Sequence, residues 1–160
     1  HCVGGGLEVA LACDVRLADH DALFGMPEVR VGVPSVVEAA LLPGLIGWAR
    51  TRELLLFGGT LDAVRAEGWG FLTRCTAPEA LDDALEALLA DLAHTGPRAV
   101  ALQKALLARW EVLPLDQGIA AGVDAFARAY ESDEPRRLAS AFFESRGRPV
   151  PVVEDGDSGP

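Results

Sequence analysis

The sequence predicts an α/β fold in its first half and an all-helical region in its second half. Two observations predict this division. Short apolar runs of strand length alternate with helical patterns up to about residue 76, separated by glycine and proline, and every later apolar pattern has a helical period. We therefore divide the 160-residue chain into residues 1–76, residues 77–146 and a flexible tail over 147–160 in which Pro, Gly and Asp recur.

Three consecutive glycines begin the first region. Gly4 to Gly6 form a backbone without Cβ atoms, which can turn sharply and allow another molecule close to its amides. An apolar helical pattern follows over 7–13 and places Glu8 in the first turn, where a carboxylate complements the helix dipole. The motif alone is compatible with a packing role or with a site for developing negative charge.

Three segments of the first region are predicted to be short strands. They cover 14–18, where Val15 and Leu17 share one face, then 22–25, and finally 71–75. Between the second and third strands, Pro27 restricts both its own backbone and that of the preceding residue. The chain must therefore leave regular structure at 26–28.

Helix starts in the first region are predicted from capping residues. Ser35 followed three residues later by Glu38 forms a capping box. A helix over 50–57 is expected to end at two glycines. Thr60 is then the predicted N-cap of a helix over 62–67.

Four amphipathic helices are predicted in the second region. They cover 78–94, 98–109, 114–130 and 134–146, with boundaries at Gly96–Pro97, Pro114 and Asp133–Pro135. The three tryptophans are predicted to be core or interface residues, at Trp48, Trp69 and Trp110.

Composition excludes several classes of partner. The net charge of −10, without any basic run, argues against nucleic acid or an anionic membrane as the main partner. No uncharged apolar run has the length of a transmembrane helix, and no signal peptide is recognisable. The three cysteines are odd in number and lack metal-ligand spacing, which favours a reducing cytoplasm. The three histidines are far apart in the sequence and form no metal signature.

A set of motifs in fixed order resembles the enoyl-CoA hydratase/isomerase (crotonase) family. In that family a glycine-rich turn, a helix-start Glu, a CD-x-R-x-A segment and an F-G-x-P-E loop follow one another at this spacing. The matching residues here are Gly4–Gly6, Glu8, Cys13–Ala18 and Phe24–Glu28. The resemblance continues through 42–47, 53–59 and 62–70, and fades into a general helical pattern after about residue 76.

The resemblance implies a fold and an assembly. It implies a partial crotonase-like (ClpP/crotonase) core of ββα turns over 1–76, followed by a helical region that packs subunits into trimers or dimers of trimers. Family members run to roughly 260 residues with the glycine turn near their middle. The chain is therefore expected to be the C-terminal portion of such a protein.

The resemblance also implies the site. Crotonase-type enzymes stabilise an enolate-like anion formed at the carbonyl of an acyl-CoA thioester, with two N–H donors and, in hydratases, two carboxyl groups. By residue-to-residue match the catalytic carboxyl groups are Glu8 and Glu28, and Gly5 is one oxyanion donor. The expected substrate-binding residues are Gly4, Gly6, Pro27, Val36 and Val37. The second oxyanion donor is expected upstream of His1, and no cofactor is expected because coenzyme A is part of the substrate.

The match leaves alternatives open. Having both glutamates favours hydration of a trans-2-enoyl-CoA, yet isomerases, other lyases and hydrolases belong to the same family, and a truncated core could serve as a non-catalytic assembly module. The bulky segment 35–38 replaces a glycine-rich run of the family, so Glu38 is either a cap or a third carboxylate near the site. Arg98, Lys104 and Arg109 are either phosphate contacts for coenzyme A or solvated helix charges.

Overall fold

A computed structural model describes residues 1–146. They fall into two compact units, a first unit over His1–Leu89 and a second unit over residues 90–146. The first unit contains β1 (Cys2–Val3), α1 (Gly5–Leu11), β2 (Leu17–Asp19), β3 (Leu23–Gly25), α2 (Leu42–Phe57), β4 (Thr60–Asp62), α3 (Ala63–Gly68) and β5 (Arg74–Thr76). Short 3₁₀ helices occupy Glu28–Val31, Val37–Leu41 and Pro78–Ala80. Helix α4 (Leu81–Ala93) begins in the first unit, and α5 (Pro97–Trp110), α6 (Leu115–Ala129) and α7 (Glu134–Ser145) follow.

The strands form two small sheets in the first unit, which confirms the predicted α/β class. Strand β3 is central in one sheet, parallel to β1 and antiparallel to β4. Its register pairs Phe24 with Cys2 on one side and with Leu61 on the other. Strands β2 and β5 pair in parallel in the second sheet, with Ala18 opposite Cys75.

One apolar core unites the elements of this unit. Leu7, Met26 and Leu42 are its most deeply buried large side chains, and Phe24 packs edge-on against Phe71 with ring centres 5.1 Å apart. The core is built from the following residues: Leu7, Leu11, Ala18, Phe24, Met26, Ala39, Leu42, Ile46, Leu54, Leu61, Ala63, Ala66, Phe71 and Leu72. Helix α1 packs on β1 and on the 3₁₀ helix Val37–Leu41, so the helix that carries Glu8 lies directly beside that segment.

Two predicted strands begin later than expected because Arg16, at the position where the first should run, bonds to the end of α1 and to the segment before β5. The side chain of Arg16 donates to the carbonyl oxygens of Phe71, at 2.6 Å, and Ala10, at 3.5 Å, near the end of α1. Its backbone carbonyl accepts from Thr73 N at 2.8 Å. The strand predicted over 14–18 therefore begins at Leu17, and Val15 is half-exposed rather than sharing a buried face. The strand predicted over 71–75 begins at Arg74.

Helix α2 extends beyond the predicted 50–57 at its N-terminal end. It begins at Leu42 and bends at Gly47, whose φ of 78° and ψ of 158° interrupt the helical backbone. It ends as predicted at Gly58, in the left-handed conformation with φ of 59°. The Arg30 side chain donates to the carbonyl of Phe57 at 3.1 Å and satisfies one of the terminal acceptors.

The predicted N-cap of α3 is wrong by two residues. Asp62, not Thr60, caps the helix, since its side chain accepts from Arg65 N at 2.7 Å. Thr60 belongs to β4 and pairs with Gly25. Both residues are common N-caps, and the sheet register removes Thr60 from that role.

The helices of the second unit are linked by polar contacts as well as by buried Leu106 and Ala121. The three helices predicted over 98–109, 114–130 and 134–146 are observed within two residues of those bounds. Helix α5 packs on α6, where Trp110 donates to the carbonyl of Gly118 at 2.9 Å and its ring lies against that glycine. Glu134, only 8% exposed, accepts from the N–H groups of Arg98 and Ala99 and caps the start of α5.

The tail predicted over 147–160 lies outside the described residues. Within residues 1–146, no helix combines the length and the apolar character that crossing a bilayer requires.

Candidate active site

The glycine turn joins β1 to α1 and exposes backbone donors. Gly4 adopts φ of 56° and ψ of −129°, and its N–H donates to Gly25 O at 2.9 Å. Its carbonyl accepts from the N–H groups of Leu7 and Glu8 at 2.8 and 3.0 Å. In the described part of the chain, the N–H groups of Gly5 and Gly6 meet no acceptor, and both residues are exposed. The turn therefore offers two unpaired N–H groups to a ligand.

Glu28 brings one carboxylate against this turn. It is half-buried and begins the 3₁₀ helix that follows β3, directly after the exposed Pro27. A methyl group on Gly4 would lie only 2.7 Å from Oε1 of Glu28, so the carboxylate occupies the space that the missing Cβ leaves. This close approach explains the need for glycine at position 4, in addition to its positive φ.

Glu8 brings a second carboxylate to the next residue of the turn. It lies in the first turn of α1 and is half-buried. A methyl group on Gly5 would lie 4.0 Å from its Oε2. The two carboxylates thus border adjacent glycines, although the residues are twenty positions apart in the sequence.

Ser35 does not form the predicted capping box. The 3₁₀ helix begins at Val37 with Val36 at the N-cap position, and no side chain caps it. The hydroxyl of Ser35 instead donates to Oε2 of Glu28 at 2.9 Å. Glu38 is half-buried in the first turn of that 3₁₀ helix. No local pattern in the sequence points to the Ser35 contact, because its partner is seven residues back across a loop.

Val36 and Val37 form the exposed start of the segment beside α1. Their side chains are 55% and 66% exposed. Val36 is extended, with φ of −131°, whereas Val37 has φ of 48°, a value unusual for a β-branched residue. Strained backbone of this kind concentrates at functional sites. Both predicted substrate-binding valines are therefore accessible, and the backbone is strained at Val37.

The remaining predicted candidates lie elsewhere. Arg98 pairs with Glu131 at 2.7 Å and also donates to the carbonyl of Arg128; Arg98, Lys104 and Arg109 all belong to the second unit. Trp69 is half-buried, with the guanidinium groups of Arg50 and Arg65 near its ring, whereas Trp48 is 62% exposed.

No cluster of His, Cys, Asp or Glu among residues 1–146 has the arrangement of a metal site. A cleft of about 400 Å³ in the first unit is lined by Ala10, Arg16, Phe24 and Phe71, among others. The glycine turn and its two glutamates do not line it, and we therefore place no substrate there.

The arrangement of two carboxylates beside free N–H donors is that of a site for acid–base chemistry with a developing oxyanion. Comparison with known proteins agrees with this class. The sequence model of the enoyl-CoA hydratase/isomerase family matches residues 1–150, and the chain belongs to that family.

Individual relatives have related descriptions. The chain is 30% identical to the crotonyl-CoA hydratase of Syntrophomonas wolfei and 28% identical to the short-chain-enoyl-CoA hydratase of Clostridium acetobutylicum, in each case over 90% of this chain and 56% of the relative. Among solved structures, it resembles an enoyl-CoA hydratase/isomerase from Cupriavidus metallidurans, with a TM-score of 0.84 and 28% identity over 95% of this chain and 57% of the other. The chain thus spans a little over half the length of the relatives it matches.

Proposed function

We propose that the protein is part of an enzyme that adds water to a trans-2-enoyl-CoA. The observation that carries this proposal is that the Glu28 carboxylate lies beside Gly4 and the Glu8 carboxylate lies near the adjacent Gly5. Hydration requires a water molecule to lose a proton while the substrate gains one. Two carboxyl groups at one place supply both an acceptor and a donor.

The backbone donor is assigned to Gly5. Its N–H is exposed and has no acceptor among the described residues, so it can donate to the thioester oxygen as negative charge develops there. We propose that the second donor comes from residues that precede His1 in the complete protein. The relatives support this proposal, because this chain matches only 56% of their length.

The two carboxyl groups then divide the proton transfers. Water held between Glu8 and Glu28 forms a bond from its oxygen to C3 and gives one proton to a carboxylate. A proton passes from a carboxyl group to C2, and the C2–C3 double bond becomes a single bond. The product is the 3-hydroxyacyl thioester, and no cofactor takes part.

We assign acyl-group binding to the residues that surround these atoms. Gly4 admits the Glu28 carboxylate, Gly6 has open space at its Cβ position, and Pro27 precedes Glu28. Val36 and Val37 present exposed side chains on the segment that packs against α1. Two valines occupy more volume than glycines would, and this favours a short acyl chain.

A double-bond isomerase is the alternative within the same family. The family's isomerases typically keep the glutamate that corresponds to Glu28 and lack the one that corresponds to Glu8. The presence of Glu8 beside the turn therefore favours hydration. Analysis of products from a trans-2-enoyl-CoA and from a 3-enoyl-CoA separates the two activities.

We also propose that the complete protein assembles as a trimer or a dimer of trimers. The helices α4 to α7 expose many large apolar side chains, and α6 with its C-cap residue exposes five of them at helical spacing. The five are Leu115, Ile119, Val123, Phe126 and Tyr130, each more than half exposed. Exposed apolar surface of this extent is typical of subunit contacts. Light scattering that shows a monomer at micromolar concentration contradicts this proposal.

The direct test of the activity is a spectrophotometric assay with crotonyl-CoA. The protein made from its whole coding sequence is expected to remove the absorbance of the conjugated thioester and to form 3-hydroxybutyryl-CoA. Residues 1–160 alone are expected to be inactive, because losing a single oxyanion donor costs about 10²–10³ in rate. Turnover by residues 1–160 within tenfold of the longer protein contradicts the proposed upstream donor.

A further inference from the structure

The two oxygens of the Glu28 carboxylate lie in different surroundings. Oε2 accepts the hydroxyl of Ser35 at 2.9 Å, and this contact is half-buried. Oε1 lies beside Gly4, on the side of the glycine turn. Within residues 1–146, Ser35 is the hydrogen-bond donor that the Glu28 side chain meets. The carboxylate is therefore fixed through Oε2, and Oε1 faces the glycine turn.

The loop that carries Ser35 is closed onto the Glu28 backbone. Val33 N donates to Glu28 O at 3.2 Å, and Gly32 N donates to Val29 O at 3.2 Å. Pro34 then restricts the backbone immediately before Ser35. These restraints limit where the backbone of Ser35 can lie relative to Glu28 and keep its hydroxyl within reach of the carboxylate.

We propose that Ser35 is a positioning residue for Glu28 and that Oε1 is the oxygen that exchanges the proton during the reaction. This inference rests on the proposed function. When Glu28 is ionised, Oε2 accepts the Ser35 hydrogen bond. When Oε1 carries a proton, Oε2 is the carbonyl-type oxygen and still accepts the same bond. Ser35 therefore keeps one geometry through both protonation states, while Oε1 gains a proton from water or gives one to C2.

A loop-stabilising role for Ser35 makes different predictions. A serine that only stabilises its loop affects unfolding and substrate binding when it is removed. A serine that orients the catalytic carboxyl group affects turnover, because misplacement of a reacting group acts on the chemical step. The separation of kcat from KM therefore distinguishes the two roles.

The experiment compares Ser35→Ala, Ser35→Thr and the control Ser132→Ala in the protein made from the whole coding sequence. Ser132 is also half-buried, and its hydroxyl donates to the carbonyl of Ala129 at 3.2 Å, in the second unit. We expect Ser35→Ala to lower kcat with crotonyl-CoA about tenfold or more and to leave KM within about threefold. Ser35→Thr keeps the hydroxyl and should recover most of the rate, and Ser132→Ala should match the parent.

A double variant tests whether Ser35 acts on turnover through Glu28. Ser35→Ala should add nothing to the loss caused by Glu28→Gln, because both changes act through the same carboxyl group. An unchanged kcat in Ser35→Ala, or a full tenfold loss on top of Glu28→Gln, overturns the proposal.

The outcome is separable from failure of the proposed function. If the parent neither hydrates nor isomerises an enoyl-CoA, the proposed function fails, and the crystal structure of Ser35→Ala decides the positioning role. A Glu28 carboxylate that turns away from Gly4 in that variant supports the proposal. A carboxylate that stays in place without the hydroxyl overturns it.

Discussion

Oε1 of Glu28 occupies the position beside Gly4 that a side chain would need, since only 2.7 Å would separate that oxygen from a methyl carbon on Gly4. Gly4 also has a φ of 56°, which L-residues with side chains rarely adopt. The same glycine therefore allows the turn and admits the carboxylate. A side chain at position 4 would disturb the turn and displace the carboxylate at the same time.

We predict that Gly4→Ala destabilises the first unit by about 1–3 kcal/mol and displaces Glu28, because the substitution adds backbone strain and a clash. Urea unfolding and the hydration assay measure the two effects. Gly44→Ala is the matched control, since Gly44 lies in α2 with open space around its Cβ position. Equal stability of the two variants would show that the Gly4 conformation is not required.

The backbone at Val37 gives a second prediction. Glycine relieves the strain of φ 48° at this position, which costs a side-chain-bearing residue about 1–2 kcal/mol. We expect Val37→Gly to be as stable as the parent within about 0.5 kcal/mol and to accept longer acyl chains, because strain relief offsets the entropy of glycine. Val36→Gly, at an extended position, should lose about 1 kcal/mol. If Val37→Gly loses as much stability as Val36→Gly, the strain interpretation is wrong.

Glu134 supplies a stability test in the second unit. Its buried carboxylate accepts from Ala99 N at 2.9 Å and from Arg98 N at 3.2 Å, and thereby caps α5 from the start of α7. Glu134→Ala leaves these donors unpaired, at a cost of about 1–3 kcal/mol. Glu131→Ala removes only an exposed ion pair with Arg98 and should cost less than about 1 kcal/mol. Urea unfolding with amide exchange of the first turn of α5 distinguishes them, and similar losses in both variants contradict the capping role.

Cysteine reactivity tests the local electrostatics around β5. Burial raises the pKa of the Cys75 thiol, and the negative charges of Glu67 and Asp19 raise it further. A raised pKa lowers the thiolate fraction at a given pH, so alkylation of Cys75 should require a higher pH than an ordinary thiol. At pH 8 we expect iodoacetamide to modify the exposed Cys13 before Cys75, as followed by mass spectrometry of peptides. Equal rates in the folded chain would contradict this.

Helix boundaries could be predicted from the sequence where a residue determines its own backbone conformation, without help from a distant segment. Helix α5, with Pro97 at its first position, and the end of α2 at Gly58 were predictable because proline and glycine act on their own backbone. Thr60 was misassigned because pairing of β4 with β3 determines its conformation. Strand register depends on two segments that are distant in the sequence, whereas a capping preference considers only the residues next to the helix.

The same reasoning separates the predictable and unpredictable parts of the site. Glu8 and Glu28 could be singled out from ordered motifs, since spacing along the chain is visible in the sequence. Ser35 has a carboxylate three residues ahead and another seven residues behind, and the local rule selects the nearer one. The closed loop at Val33 brings Glu28 within reach instead. A charge-assisted hydrogen bond to that carboxylate is stronger than a neutral cap.

The most direct test of the central claim is the rate of crotonyl-CoA hydration by Glu8→Gln and Glu28→Gln, made in the protein from the whole coding sequence. Each amide keeps the size of the side chain and cannot exchange a proton as a carboxyl group does. We predict that each change lowers kcat by about 10²-fold or more with a smaller effect on KM. Near-parental turnover in either variant would contradict the assignment of that carboxyl group to the reaction.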